Sequence, residues 1–358
     1  MFEVAVVGSG PAGATCAAFC AAAGIRTVLL EREKFPREKV CGDCLNPSST
    51  PVFERLGVAG RVRALPHAAL ERVDFIGLSG RTVSVPLPQN AEIAVKRSLL
   101  DHLLMTRAVE AGAEVRDSVI VSAVARPSSR SGGWTINAGG NTVIARVLVA
   151  ADGRNSTVAR LLGMLPTSRK ERIAIQTHVP RPKDFGNRVV LQFLRDGYSG
   201  QAPVGEDELN ICLVAKAQKM GAMRVWAERA FAIPANQSWR TITPLRRKPI
   251  TPAVRRLFFV GDAARVVEPF TGEGIYYALR SGEIAAAAIE NLLAHGDEAE
   301  IARAYTTAHQ TLYRGRLWVN RFARTAVLSP RATSFLLRTR FLHPNLLRAL
   351  TTKIVGKP

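Results

Sequence analysis

The chain has 358 residues, of which 47% are hydrophobic and 22% are charged, a balance typical of a globular protein with a large core. No apolar run reaches the ~18 residues that a membrane-spanning helix needs, and five cysteines in so long a chain do not indicate a disulfide framework. The formal net charge of +20 indicates attraction to something anionic. A glycine-rich motif begins at residue 8 and leaves no room for a signal peptide before it, so we expect a cytoplasmic protein.

The first predicted elements are a strand and a glycine-rich turn. Residues 4–7 read Val-Ala-Val-Val, a run of β-formers, and Gly8-Ser-Gly10-Pro-Ala-Gly13 follows directly. In such a turn Gly8 permits the tight bend, Gly10 lets the backbone approach a pyrophosphate, and Gly13 lets the next helix pack on the strand. The segment therefore predicts the first half of a dinucleotide-binding unit.

The predicted helix begins at Pro11 and Ala12 and ends near Gly24. Its N-terminus offers free N–H groups and the positive end of a dipole to a phosphate. A second strand follows and ends at Glu31, whose carboxylate can accept hydrogen bonds from ribose hydroxyls and disfavours a 2′-phosphate. The segment therefore favours FAD or NAD over NADP.

The rest of the chain alternates between helix and strand patterns, which predicts an interleaved organisation. The pattern predicts an amphipathic helix over 97–111, with Gly112 directly after its end. The apolar stripe of this helix comprises Leu99, Leu100, Leu103, Leu104, Ala108 and Val109. The other predicted elements are a polar loop over 37–44, a helix over 51–56, strands over 72–78, 82–85, 119–124, 134–137 and 147–150, a β-rich region over 173–215, a strand over 257–260 and a helix from Gly274.

The end of the chain is strongly basic. Residues 301–358 contain eleven Lys or Arg and no Asp or Glu, and the pattern predicts helices over 301–328 and about 333–353. Such a segment can lie on an anionic membrane surface, or it can pack on the core with a solvated arginine face. Nucleic acid ranks lowest as a partner, because aromatic residues are only 6% of the chain and no stacking motif is present.

Three separated segments fit a role around one flavin dinucleotide: the glycine turn with Glu31, Ala151-Asp152-Gly153, and Val260-Gly261-Asp262. In this order and spacing the chain resembles the FAD-dependent oxidoreductases with the p-hydroxybenzoate hydroxylase type of fold. It is most similar to the branch of geranylgeranyl reductases and related monooxygenases. The remaining elements of the resemblance are Lys39-x-Cys41-Gly42-Asp43, Arg97 with Asp101, and Pro269-x-x-Gly272-x-Gly274.

The resemblance implies a mixed α/β fold with two interleaved domains. A Rossmann-like FAD-binding domain would comprise residues 1–65, 90–165 and 250–297. A β-sheet substrate domain would comprise residues 66–89 and 166–249, and basic helices would occupy 298–358.

The resemblance also implies roles for single residues. Glu31 would bind the adenosine ribose, Arg97 would lie against the dinucleotide, and Asp262 would bond the ribityl or pyrophosphate portion. Backbone N–H groups over 269–275 would lie near the flavin pyrimidine edge and favour an anionic reduced flavin. The complete set of expected cofactor residues is Gly8, Gly10, Pro11, Ala12, Gly13, Glu31, Arg32, Cys41, Gly42, Arg97, Val121, Asp152, Gly153, Gly261, Asp262, Pro269, Gly272, Gly274 and Ile275.

The residues that would carry the chemistry are fewer. Cys41 and Cys44 have metal-ligand spacing without a second Cys/His pair, so we expect no metal. The resemblance implies that Cys41 lies near the flavin, in either a catalytic or a packing role. Tyr198 is the second catalytic candidate, from a segment where the reductases carry Tyr-x-Trp-x-Phe-Pro; here Gly200 and Ala202 replace the Trp and Phe. The flavin halogenase motifs are absent, and His67, His102 and His178 are interpreted as ordinary.

Three functions remain open. The substituted segment favours a monooxygenase that hydroxylates or epoxidises a hydrophobic molecule through a flavin C4a-hydroperoxide. The second hypothesis is a reductase of C=C bonds in a prenyl lipid, and the third is a flavin-bearing protein bound to RNA or membrane. No second glycine-rich βαβ unit is evident, so NAD(P)H would visit transiently as the reductant.

Overall fold

The computed structural model describes residues 1–88, 92–129, 132–167, 172–267 and 272–314. The helices are α1 (Pro11–Ala22), α2 (Thr50–Arg55), α3 (Ala59–Ala64), α4 (Arg97–Glu110), α5 (Thr157–Leu161), α6 (Met220–Ala230), α7 (Gly274–His295) and α8 (Glu298–Leu312). The strands are β1 (Phe2–Val7), β2 (Thr27–Leu30), β3 (Cys44–Leu45), β4 (His67–Leu70), β5 (Arg72–Ile76), β6 (Thr82–Pro86), β7 (Glu92–Val95), β8 (Glu114–Arg116), β9 (Val121–Ala125), β10 (Trp134–Ala138), β11 (Asn141–Ala150), β12 (Ile173–Pro180), β13 (Arg188–Leu194), β14 (Gly197–Val204), β15 (Glu208–Ala215), β16 (Arg240–Ile242), β17 (Ala253–Val254) and β18 (Leu257–Phe259).

The first sheet is built on parallel strands in the order β18-β11-β1-β2-β8, with β17 antiparallel at one edge. Strands β9 and β10 extend from β11 as an antiparallel flap. The central strands are apolar because helices cover one face and the flap and α5 cover the other. The carboxyl ends of β1, β11 and β18 meet at one edge of this sheet, where the three predicted flavin motifs begin.

The second sheet has the order β16-β12-β15-β14-β13-β5-β6 and is antiparallel except where β13 pairs with β5. One face packs against α6 through Met220, Met223 and Ala227. A small third sheet, β3-β7-β4, contacts the opposite face. Fold class is thereby confirmed as mixed α/β, whereas the division into domains stays a prediction.

Two helix predictions differ from the structure. Val109 was placed on the apolar stripe of α4, yet it is 50% exposed, because Leu100, Leu103, Leu104 and Ala108 already define the buried side. Helix α8 begins at Glu298, three residues before the predicted start, since the Asp297 carboxylate caps its first N–H groups. It ends at Leu312, whereas the predicted helix continues to residue 328.

The predicted helical segments beyond residue 314 lie outside the described residues. None of the helices within the described ranges has the length and hydropathy to cross a bilayer.

Candidate flavin site

The glycine turn after β1 has the geometry that its sequence predicts. Gly8 has φ +100°, and a Cβ added there would lie 2.6 Å from the Ala151 carbonyl oxygen. A Cβ on Gly13 would overlap the Gly8 carbonyl oxygen, because α1 crosses the turn closely. A Cβ on Gly10 would meet only Arg37 Nη2, at 3.8 Å. The space above Gly10 is therefore free of backbone and can admit a ligand.

Glu31 lies against this turn. Its Oε2 accepts a hydrogen bond from the Ser9 N–H at 2.7 Å, and its Oε1 accepts one from the Glu33 N–H at 3.0 Å. The carboxylate is thus held at the end of β2, where a ribose would need it. The neighbouring Arg32 side chain is exposed and lies 3.2 Å from Glu33. Ser9 Oγ is buried beside the turn with no hydrogen-bond partner, as expected of a group that a ligand completes.

The Arg and Lys side chains near the glycine turn outnumber the carboxylates that pair with them. Asp101 is fully buried and accepts hydrogen bonds from Arg37 at 2.9 Å and from Arg97 at 2.8 Å. Lys39 makes no ion pair within the described part of the chain. Burial and then repulsion from Arg37, Arg97, Arg154 and Arg32 lower the pKa of Lys39 to about 8. A dinucleotide pyrophosphate would supply the missing negative charge, so the residues present fit FAD.

The two Asp-Gly motifs have structural partners. Asp152 Oδ2 accepts a hydrogen bond from the Val158 N–H at 3.0 Å and so caps α5, and Gly153 takes φ +83°. Burial raises the pKa of Asp152. Asp262 pairs with Arg154 at 2.9 Å, and Gly261 takes φ +55°, with an added Cβ 3.0 Å from Ala12 Cβ.

The remaining cofactor candidates lie on several different elements. Gly272 takes φ +67°, α7 begins at Gly274, and Ile275 is buried. Gly42 is exposed with open space at its Cβ position, and Val121 is buried in β9. Pro269 lies outside the described residues.

The loop that carries Cys41 is anchored by Asp43. This residue is fully buried and takes the left-handed conformation at φ +60°. Its Oδ2 lies 2.9 Å from His178 Nε2 and accepts a hydrogen bond from Asn210 Nδ2 at 2.5 Å. Its Oδ1 accepts one from the Arg97 N–H at 3.3 Å. Burial raises the pKa of Asp43, and the bond with His178 partly opposes that rise.

His178 is therefore not ordinary, and its interpretation from the sequence was wrong. Its carboxylate partner is 135 positions away, so no local pattern reveals the pair. The other two histidines fit the ordinary interpretation: His67 Nδ1 lies 2.8 Å from the Leu65 carbonyl oxygen, and His102 stacks on Phe35.

Three free thiols lie close together at this loop: Cys41, Cys44 and Cys212. Cys212 Sγ donates to the Cys41 carbonyl oxygen at 3.2 Å. Burial raises the pKa of Cys41, although the Arg97 charge opposes the rise. A thiol of raised pKa is a poor nucleophile at neutral pH, which favours the packing role for Cys41. No group of three metal-ligating side chains occurs in the described ranges.

The second sheet presents one face to this loop. The register pairs Ala202 with Asn210, Gly200 with Cys212 and Tyr198 with Val214, so these side chains share that face. Tyr198 is buried with Phe193, Val85 and Leu245 in an apolar cluster. A Cβ on Gly200 would meet only Leu191 Cδ2, at 3.7 Å, which leaves space in front of the sheet.

Sequence reasoning missed Glu92. It is 7% exposed on β7, and its Oε1 would lie 3.7 Å from a Cβ on Gly272. Burial raises the pKa of Glu92 to about 7. The available signal was a glutamate at the start of the apolar strand pattern Glu-Ile-Ala-Val, which Lys96 and Arg97 follow.

Comparisons with known proteins agree with this geometry. The FAD binding domain family matches residues 1–195. Menaquinone reductase of Mycolicibacterium smegmatis is 31% identical over 87% of this chain and 81% of its own length. Digeranylgeranylglycerophospholipid reductase 2 of Methanopyrus kandleri is 28% identical over 81% of this chain and 78% of its own length. The crystal structure of PqsL, a probable FAD-dependent monooxygenase from Pseudomonas aeruginosa, has a TM-score of 0.77 at 18% identity, covering 93% of this chain and 99% of that one.

With the cofactor motifs assembled at one sheet edge and a family match over more than half of its length, the chain belongs to the FAD binding domain family and is an FAD-dependent oxidoreductase.

Proposed function

We propose that the protein reduces a C=C bond in the isoprenoid chain of a lipid. The observation that carries this proposal is the chemistry shared by the named substrates of two relatives that match most of this chain. Menaquinone and digeranylgeranylglycerophospholipid differ in their polar parts, and both carry isoprenoid chains. This reverses the preference for a monooxygenase that Gly200 and Ala202 give from the sequence.

An apolar wall beside Cys44 supports a hydrocarbon substrate. It is formed by the partly buried Val189 and Leu191 of the second sheet, against which the fully buried Leu70 and Ala94 of the third sheet pack. Apolar side chains of this kind bind an alkyl or alkenyl chain by excluding water, without fixing a polar group. A long flexible chain could be drawn along such a wall until one double bond lies at the flavin.

FAD would be held by the residues already described. Gly10 and the N-terminus of α1 would contact the pyrophosphate, Glu31 the ribose, and Arg37, Lys39 and Arg97 would balance the phosphate charge. Bound and reduced, this cofactor supplies a hydride. We propose NAD(P)H as its transient reductant.

Substrate delivery would involve the basic end of the chain. Residues 315–358, which lie outside the described ranges, hold most of the lysines and arginines that make the sequence basic after residue 301. We propose that they contact an anionic membrane surface peripherally, which would bring the active site to a lipid substrate.

The test is an anaerobic stopped-flow experiment. The purified protein is reduced with dithionite and mixed with a geranylgeranyl lipid that has no quinone ring, in detergent, and flavin absorbance is followed. Reoxidation by lipid without oxygen is expected, and the fully saturated analogue is the control. If no isoprenoid lipid reoxidises the flavin and oxygen alone does, the proposal is overturned.

A monooxygenase is the second candidate. The observation that favours it is the space at Gly200, where an added Cβ would meet only Leu191 Cδ2, at 3.7 Å, and which could admit a bulky ring beside the flavin. Fold likeness to PqsL is compatible with it but carries no chemistry at 18% identity. In the same experiment this candidate requires oxygen and a transient flavin absorbance that lives longer with substrate.

A further inference from the structure

Glu92 is a buried acid that the flavin-binding residues do not use. It has no hydrogen bond or ion pair within the described part of the chain and is only 7% exposed. Little water reaches such a carboxyl, so its ionised form is costly to bury. A buried acid of this kind is a candidate for a functional role.

Glu92 lies beside the Gly272 turn. Because side chains alternate along β7, Glu92 shares a face with Ala94, which packs against Leu70 and the second sheet. Its Oε1 would be 3.7 Å from a Cβ on Gly272, and Cys44 Cβ would be 3.9 Å from the same point. Gly272 belongs to the segment over 269–275 that is expected at the flavin, of which residues 272–275 are described.

The elements packed around Glu92 bring few titratable groups. Cys44 faces it from β3, His67 lies at the far end of β4, and Tyr198 is on β14. Glu273 follows Gly272 and is bonded to the Tyr277 hydroxyl at 3.1 Å. None of these places a positive charge beside the Glu92 carboxyl.

We propose that Glu92 donates the proton that completes C=C reduction. This inference rests on the proposed reductase function. It makes Glu92 a catalytic residue, because its carboxyl would contact the substrate double bond beside the Gly272 turn.

The step balances as follows. The double bond would lose its π pair, one carbon would accept the hydride that bound, reduced FAD supplies with its two electrons, and the adjacent carbon would accept the proton from the Glu92 carboxyl. The alkene would become an alkane, and Glu92 would be left as a carboxylate. Solvent returns the proton before the next turnover, and a nicotinamide returns the two electrons.

Burial keeps Glu92 partly protonated near neutrality, since it raises the pKa of the carboxyl to about 7. An acid with this pKa can donate and be recharged at physiological pH. The lipid-reduction rate should therefore fall as pH rises through about 7.

The test compares Glu92→Gln, Glu92→Asp and the control Glu206→Gln, an exposed position in the turn after β14. In Glu92→Gln, anaerobic flavin reoxidation by lipid should slow by roughly 100-fold or more and lose its pH dependence near 7. Flavin reduction by NAD(P)H should stay at the wild-type rate in all three. Glu92→Asp keeps an acid and should retain an intermediate rate with a pH profile.

A second readout does not use turnover. Infrared spectra of the FAD-free protein should show a protonated carboxyl band that disappears near pH 7 in the wild type and is missing in Glu92→Gln. If the wild type does not reduce lipid, the proposed function fails and the infrared band still decides whether Glu92 holds a proton at neutrality. If the wild type reduces lipid and Glu92→Gln matches it, or no band titrates between pH 6 and 8, this inference is overturned.

Discussion

Gly10 and Gly13 are three positions apart, and each excludes a side chain for its own reason. A side chain at Gly10 would enter the ligand space, whereas one at Gly13 would strike the backbone of the turn. Gly10→Val should therefore fold like the wild type and purify without bound FAD. Gly13→Ala should lose about 1–3 kcal/mol of stability or more through overpacking. Flavin absorbance and urea unfolding distinguish the two, and a yellow Gly10→Val protein would contradict the assignment of the pyrophosphate site.

Lys39 makes FAD affinity depend on pH. Its pKa is about 8 without an anion, so the ammonium is charged at pH 7 and largely neutral at pH 9. A bound pyrophosphate favours the charged form, and FAD should bind about tenfold more weakly at pH 9 than at pH 7. Flavin fluorescence titrations measure this. The Lys39→Met variant should bind FAD weakly at both pH 7 and pH 9. If its FAD affinity falls between these pH values as much as that of the wild type, another group causes the pH dependence.

Glu92 also affects the stability of the FAD-free protein. Its pKa rises from 4.5 to about 7 on folding, so the unfolded chain loses the proton first as pH rises. The protonated carboxyl makes its full contribution to the free energy of unfolding below pH 4.5. This contribution is lost by about pH 7, a change of about 3 kcal/mol. In urea unfolding, the free energy of unfolding of Glu92→Gln should therefore rise relative to that of the wild type by about 3 kcal/mol between pH 4.5 and pH 7. The control Glu206→Gln should show no such rise. A constant difference would contradict the raised pKa.

At the scale of elements, strand register creates the anchor of the Cys41–Cys44 loop. His178 of β12 and Asn210 of β15 are paired residues, and both reach Asp43. His178→Ala would leave a buried carboxylate oxygen with one donor fewer, at a cost of about 1–3 kcal/mol. The control His102→Ala removes an exposed ring and should cost little. Equal unfolding midpoints for these two variants would show that the anchor contributes nothing.

Local patterns predicted the elements well and their meeting points poorly. Apolar runs, the glycine turn and the start of α7 at Gly274 follow from periodicity and turn chemistry over a few residues. The prediction that Val109 is buried was wrong, because four neighbouring positions already fill the buried side of α4. Asp43, His178 and Asn210 could not be joined from the sequence, because their contact depends on how two sheets face each other.

At the scale of the whole molecule, the Gly272 turn, the Cys41–Cys44 loop and the apolar contact between the second and third sheets lie together. The FAD motifs were predictable because each belongs to one strand and the turn after it. The apolar contact and the position of Glu92 were not predictable, since three different sheets or loops supply them.

The net charge of +20 predicts a salt-sensitive association with membranes. The full chain should sediment with vesicles that contain anionic lipid and stay in solution with neutral ones, each surface Lys or Arg adding about 1 kcal/mol. Raising the salt to several hundred millimolar should release it. Binding that is independent of lipid charge would contradict a peripheral electrostatic contact.

The most direct test of the central claim is the mass of the product. The enzyme is incubated with NAD(P)H and an isoprenoid lipid that has no quinone ring, with and without oxygen, and the lipid is analysed by mass spectrometry. C=C reduction predicts a product with two additional hydrogen atoms, formed equally well without oxygen. A product that gains an oxygen atom and forms only in air would contradict it.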